Sequence, residues 1–211
     1  MSRPRRAGVF ITFEGIDGSG KSTQSRLLAE SLGAHLTREP GGSPGAEEIR
    51  RLLVEGEAGR WSAETEILLF TAARRDHLEK TILPALEAGA VIVSDRFADS
   101  TRVYQGVARA ALRDTVDRLH ALMIGQEPDL TFVIDTDPEM ALGRGLARKS
   151  GEDRFESLGV EFQAKLRAGY LALAEEYPAR VRVIDGNRPE EAVAAEVAAQ
   201  AREFLGQRAH G

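Results

Sequence analysis

The chain has 211 residues, 28 basic and 33 acidic side chains, a formal charge of -5 and a hydrophobic content of 42%. That length accommodates one domain with a sizeable core, and the acidic balance excludes sequence-independent binding of a nucleic-acid polymer as the main task. No run approaches the roughly 18 uninterrupted apolar residues of a membrane span, and the absence of cysteine excludes disulfides and thiolate metal sites, which fits a reducing cytoplasm.

Residues 1–6 are basic, but the apolar stretch after them lacks a small-residue cleavage site, so they read as a short flexible arm rather than a secretory signal. Residues 9–13, VFITF, are apolar and β-rich, short enough for a buried strand. Gly15-Ile16-Asp17-Gly18-Ser19-Gly20-Lys21-Ser22 follows and satisfies G-x-x-x-x-G-K-[ST] in full. Its glycines let the backbone curl so that successive N–H groups converge on phosphate oxygens, at the positive end of a helix expected over 23–32. Lys21 adds a point charge for the β- and γ-phosphates, and Ser22 places a hydroxyl for magnesium. The loop therefore implies a bound nucleoside triphosphate.

Further strands are expected at 34–37, 90–94, 130–135 and 181–185, with helices at 63–87, 113–124, 161–176 and 189–205. The last opens on Pro189 and has Ala192, Val193, Val197 and Phe204 on or near one side. Such alternation predicts an α/β fold, a five-stranded parallel sheet flanked by helices, with ligands at the carboxyl ends of the strands. Residues 143–157, rich in Arg, Lys and Gly, break the pattern between two helices and are expected as a mobile loop within a single domain, 1–211.

Three other places bear on what happens to the triphosphate. Asp95 follows the strand at 90–94, where a carboxylate commonly holds magnesium through water, and Arg96 comes next with an always-charged fork. Phe70 and Arg74 lie one helical turn apart, so a ring could stack on a nucleobase while the guanidinium bonds an exocyclic oxygen. A core phenylalanine beside a surface arginine has the same spacing. Thr37-Arg38-Glu39-Pro40-Gly41-Gly42 makes a rigid turn, followed by Glu47, Glu48 and Arg50. No N-K-x-D run is present, which disfavours a guanine-nucleotide switch, and the four histidines sit outside these motifs.

FEGIDGSGKST at 13–23, TREPGG at 37–42, LLFTAAR at 68–74, SDRFADSTRVYQG at 94–106 and DRFE at 153–156, in that order, resemble the bacterial thymidylate kinases over nearly the whole chain. The resemblance implies the P-loop nucleoside-kinase fold with a short Arg-rich lid at 143–157, and magnesium-dependent transfer of the ATP γ-phosphoryl group to dTMP, giving dTDP and ADP. It also implies a cytoplasmic homodimer acting on no membrane, with the helix at 63–87 as candidate interface. Leu68, Leu69 and Ala73 there read equally well as core or as dimer face.

Residue by residue, it implies that ATP lies on Gly15 to Thr23, that Phe70 stacks on thymine, and that Arg74, Thr101 and Gln105 bond the base edge. Tyr104 would crowd the sugar C2′, and Asp17 would take the 3′-hydroxyl or help orient the acceptor phosphate. Arg50 and Arg96 would hold that phosphate with Glu39 assisting, while Ser22 and Asp95 would serve Mg2+. Gly18 stands where eukaryotic-type relatives carry an arginine. Bacterial-type relatives move that charge into the lid, here Arg144, Arg148, Lys149 and Arg154. Lys21, Arg96, Asp17, Arg148 and Arg154 form the expected catalytic set.

Overall fold

The structure, a computed structural model, describes residues 8–56, 59–106, 112–148 and 159–209. Five parallel strands, β1 (Val9–Glu14), β2 (His35–Arg38), β3 (Val91–Asp95), β4 (Leu130–Asp135) and β5 (Val181–Asp185), lie in the order β2-β3-β1-β4-β5. Central β1 is buried at every position, as a Val, Ile and Phe run covered on both faces should be. Phe13 pairs with Asp95 on one side and Phe132 on the other, so the ends of β1 and β3 are level.

Side-chain alternation divides β1 between two layers. Val9, Ile11 and Phe13 pack with Leu28 and Ala29 of α1 (Lys21–Leu32) and with Val193, Val197 and Ala201 of α9 (Glu190–Ala209). Phe10 instead joins a cluster with Leu78, Ile82, Leu86 and Phe97. That cluster draws on a wider π turn (Leu78–Ile82) that continues α3 (Ala63–His77), on α4 (Leu83–Glu87) and on the start of α5 (Ala98–Tyr104). A third cluster sets Leu166, Tyr170 and Leu173 of α8 (Gly159–Glu176) against Val103, Val133 and Val181. The other helices are α2 (Pro44–Val54), α6 (Arg113–Leu119), which runs into a π turn (His120–Ile124), and α7 (Pro138–Arg148). β1 sends the chain past β3 to β2, whereas β4 sends it outward to β5. Connections that diverge from neighbouring strands open a cleft at their carboxyl ends.

β4 and β5 have the expected bounds, while β2 and β3 begin and end one residue later than expected. The helix expected at 63–87 is continuous but widens over Leu78–Ile82. Pro84 has no N–H for the carbonyl four residues back and its ring needs room, which the wider turn supplies. Of the segment 143–157, expected as a loop and by the resemblance as a short Arg-rich lid, residues 143–148 continue α7, and 149–157 lie outside the described residues. Along α9 the inward seam runs through Val193, Val197 and Ala201, and Ala192 faces solvent.

Besides α7, two more helices were not expected. α2 begins with Pro44 in its first turn and Glu47 close behind, a start signal that the preceding Pro-Gly-Gly turn obscures. α5 buries Ala98, Asp99, Thr101, Arg102, Val103 and Tyr104 almost all round, so it shows no amphipathic period. Its buried charges are matched. Asp99 accepts from Arg102 at 2.8 Å and from Arg180 at 2.6 Å, and Arg102 also reaches Asp117 and Glu127 at 2.8 and 2.7 Å. This network anchors α5 to the sheet beneath the cleft.

Candidate active site

Gly20, at φ 96°, turns the chain into α1 and brings Lys21 and Ser22 to its first turn. Gly18 has a second constraint: a Cβ there would stand 1.8 Å from the carbonyl oxygen of Ala141 on α7. No side chain fits, let alone an arginine, so the charge expected from relatives of the other type cannot enter here. Lys21 is buried, and its Nζ donates to the Ile16 carbonyl at 3.3 Å and to Asp17 Oδ1 at 3.2 Å.

Beside this loop, β3 ends in Asp95 and turns through Arg96. Among the described residues Arg96 is the one non-glycine at positive φ, 71°, a conformation that costs about 1–3 kcal/mol. Three bonds impose it. Arg96 N–H donates to the Phe13 carbonyl at 2.9 Å, Ser94 Oγ donates to the Arg96 carbonyl at 2.8 Å, and Phe97 N–H donates to Glu14 Oε1 at 2.8 Å.

The guanidinium so aimed donates from Nη1 to Ser100 Oγ at 2.7 Å and Tyr170 Oη at 3.1 Å, and from Nη2 to Asp17 Oδ1. The Tyr104 hydroxyl donates to the other Asp17 oxygen at 2.8 Å. Asp17 thus joins Lys21, Arg96 and Tyr104. Burial alone would raise its carboxyl, but Arg96 and Lys21 outweigh burial and hold it well below the usual carboxylate range. Burial and then Arg96 pull Lys21 down from the ordinary amine value, against Asp17 and Asp95.

One cavity joins these groups to the second set of expected residues. Asp17, Gly18, Lys21, Ser22, Asp95 and Arg96 line it together with Glu39, Arg50, Phe70, Arg74, Thr101, Tyr104 and Gln105. Gly15, Ile16, Ser19, Gly20 and Thr23 are not among the lining residues, and the Ile16 side chain belongs to the core beside Val133 and Tyr170. Arg144 turns away, donating to the Gly186 carbonyl at 3.4 Å. The Arg148 side chain, Lys149 and Arg154 lie outside the described residues. On α3, Ala73 is core, and Leu68 is 58% exposed.

Glu39 lines the cavity, yet both its oxygens are committed: Oε2 accepts from Arg74 Nε at 2.7 Å and Oε1 pairs with His77 Nδ1 at 3.1 Å. A carboxylate only accepts, so Nδ1 carries the proton, while His77 Nε2 meets Thr37 Oγ1 at 2.7 Å. Arg74 Nη2 donates to the Phe97 carbonyl at 3.2 Å and Thr101 Oγ1 at 3.0 Å, which leaves Nη1 without an acceptor among the described residues. The turn after β2 is clamped from α2 as well, by Arg50 on the Pro40 carbonyl at 2.6 Å and by Glu47 on Gly42 N–H at 2.9 Å.

Sequence reasoning missed His77, Ser100, Tyr170 and Glu14. Of these only His77 left a signal, standing three residues beyond Arg74 on the same helix face. Near the phosphate loop, Asp95 Oδ1 is buried without a hydrogen-bond partner among the described residues, and Asp95 shares the cavity wall with Ser22. A carboxylate and a hydroxyl, completed by phosphate oxygens, suit Mg2+. Among the described residues no group of three His, Cys, Asp or Glu side chains could hold a metal alone.

A phosphate loop and a second, arginine- and aromatic-lined pocket opening on one cleft define a phosphotransferase that works between two nucleotides. Residues 13–197 match the family model described as Thymidylate kinase. The chain is 67% identical to the thymidylate kinase of Ruegeria pomeroyi over 195 residues, 90% of this chain and 92% of that protein. It is also 67% identical to that of Dinoroseobacter shibae over 204 residues, 94% and 97% of the two chains. The crystal structure of thymidylate kinase from Ehrlichia chaffeensis superposes with a TM-score of 0.76 at 37% identity, covering 92% of this chain and 98% of that one. The chain belongs to the thymidylate kinase family. It is a nucleoside monophosphate kinase whose substrates are ATP and dTMP.

Glu14, buried under the Arg96 turn, has its carboxyl pushed up to about 7, first by burial and then by Asp99, against the opposing pull of Arg96. From its unfolded value near 4.5 up to about 7 the native chain therefore keeps a proton that the unfolded chain releases. Stability attributable to this group falls as pH rises through that window and is level above it. Relative to a Glu14→Gln variant, wild type should lose about 3 kcal/mol between pH 4.5 and 7 in urea titrations. Parallel stability profiles for the two proteins would contradict the assignment.

Proposed function

We propose that dTMP lies in the pocket with its ring on Phe70, its base edge against Arg74, Thr101 and Gln105, and its sugar beside Tyr104. Its 5′-phosphate lies between Arg50 and Arg96, facing ATP, whose phosphates rest on the loop from Gly15 to Thr23. The observation that carries this reading is the meeting of Arg96 and Lys21 on Asp17, at the junction of the phosphate loop and the second pocket. Two anionic nucleotides repel, so transfer between them needs cations on both sides of the migrating phosphoryl group. Lys21 faces the donor and Arg50 the acceptor, with Arg96 between. Arg148 and Arg154 would approach from the segment that follows α7.

The nucleophile is a phosphate oxygen already ionised at neutral pH, so no general base is required. Asp17 orients the two cations, and Glu39 assists through Arg74. Ser22 and Asp95 would hold Mg2+, which when bound supplies positive charge to the phosphate oxygens. Exclusion of water comes from closing the cleft over both ligands.

The enzyme works as a single domain in the cytoplasm in this reading, and among the described residues no helix is long and apolar enough to cross a membrane. It acts as a homodimer in this reading. Leu68 on α3, with Leu122 and Met123 exposed on the π turn that Arg75 ties to it, supplies the apolar face that a second copy covers. Light scattering should give twice the chain mass, and Leu68→Glu should shift it to the monomer; a wild-type monomer at micromolar concentration overturns the dimer.

Arg96→Ala should lower kcat by about two to three powers of ten, while Phe70→Ala should mainly raise KM for dTMP, by about 5- to 150-fold. Unchanged kcat in the first, or a rise in KM for ATP rather than dTMP in the second, would remove those roles. Asp95→Asn should raise the magnesium concentration for half-maximal rate about tenfold or more, and an unchanged requirement would exclude Asp95 as a holder of the ion.

A further inference from the structure

α3 carries Glu66, Phe70, Arg74 and His77 at successive steps of one helical turn, all on the side toward the cleft and the sheet. The proposed chemistry uses Phe70 and Arg74, and His77 braces Arg74 through Glu39. Glu66 has no part in it, yet its side chain is completely buried, an unusual place for a carboxylate. Its Oε2 accepts from the amide nitrogen of Gln105 at 3.1 Å. Gln105 is itself buried and lines the cavity beside Phe70, Arg74 and Thr101, and its Oε1 has no hydrogen-bond partner among the described residues.

A carboxamide has two orientations of nearly equal shape, and its neighbours choose between them. Here the choice is forced. Turning the amide over would set Oε1 against the Glu66 carboxylate, lone pairs against lone pairs. Glu66 therefore holds the NH2 group and leaves the oxygen for a ligand. A buried acceptor with no protein partner is the feature that a bound donor completes.

The second edge group has the opposite character, because Arg74 Nη1 can only donate and has no acceptor among the described residues. An acceptor beside a donor matches the N3–H and O4 of a thymine or uracil ring. Cytosine presents N3 as an acceptor and N4 as a donor, the reverse pair. We propose that Glu66 is a specificity-positioning residue: by locking the Gln105 amide it makes the pocket accept an imino N–H and reject cytosine. This rests on the reading that the acceptor base lies on Phe70.

The test is steady-state kinetics of the full chain with dTMP and dCMP as acceptors at saturating ATP. Glu66→Gln keeps the shape but lets the Gln105 amide turn. It should raise KM for dTMP about tenfold with kcat and KM for ATP retained, and cut the dTMP-over-dCMP ratio of kcat/KM by about tenfold or more. The exchanged pair, Glu66→Gln with Gln105→Glu, again fixes an acceptor toward the ring and should return the ratio to within a few-fold of wild type. If Glu66→Gln does not fold by circular dichroism, the exchanged pair decides alone, recovery supporting the proposal and loss of preference overturning it. A folded Glu66→Gln with an unchanged ratio, while Gln105→Ala still raises KM for dTMP, overturns the role of Glu66 and leaves the base site intact. An unchanged KM for dTMP in Gln105→Ala means instead that the base site itself is misplaced, and the proposal falls with it.

Discussion

Arg96 and Asp17 meet across the gap between β3 and the phosphate loop, and the geometry of the cleft depends on that pair. β1 and β3 are adjacent and level, so the loop after one and the turn after the other emerge side by side. Each turn is unfavourable alone: one needs glycines at positive φ, and the other forces a non-glycine there. Glu14 beneath them bonds the backbone of the Arg96 turn, and Asp17 above them ties its side chain to Lys21. The cluster holds buried cations and carboxylates in rough balance, as buried charge requires. Incoming phosphates would take over the neutralisation that Asp17 provides, so the cations are aimed before the substrates arrive.

α3 works as a ruler along the second pocket. Its helical repeat spaces an acid, a ring, a guanidinium and an imidazole along one side, and in the proposed binding mode only the ring and the guanidinium would meet a base directly. The others orient neighbours: His77 and Glu39 fix Arg74, and Glu66 fixes the Gln105 amide. The turn after β2 is bonded from α2, from α3 and from the π turn that follows it, where Thr81 donates to the Gly42 carbonyl at 2.7 Å. The second pocket is therefore braced on the side where the proposed binding mode places the base. α7, the last described element before residues 149–158, closes on Gly18 at the loop itself.

The sheet was legible because strands buried on both faces are written as continuous Val, Ile and Phe runs, and the phosphate loop because its spacing admits few other meanings. Phe70, Arg74, Asp95 and Arg96 came from short patterns that the family resemblance sharpened. α5 was hidden because Asp99 and Arg102 are buried by partners far along the chain, Arg180 among them, so its sequence looks like a charged loop. His77 and Glu66 belong to none of the motifs and stand in the sequence only as two polar residues of the helix expected at 63–87. Only the fold reveals that Thr37, Glu39 and Gln105 cover them. Glu14 went unnoticed between the strand expected at 9–13 and the phosphate loop, since its partners Phe97 and Ser100 lie after another strand, in the turn and in α5.

The central claim is that donor and acceptor phosphates share one charge cluster set by Asp17 and Arg96. A single molecule carrying adenosine and thymidine at the two ends of a five-phosphate chain tests it most directly. Inhibition by that compound should be competitive against ATP and against dTMP alike, with binding tighter than either nucleotide alone. Competition against one substrate only, with simultaneous binding of the other, would contradict it.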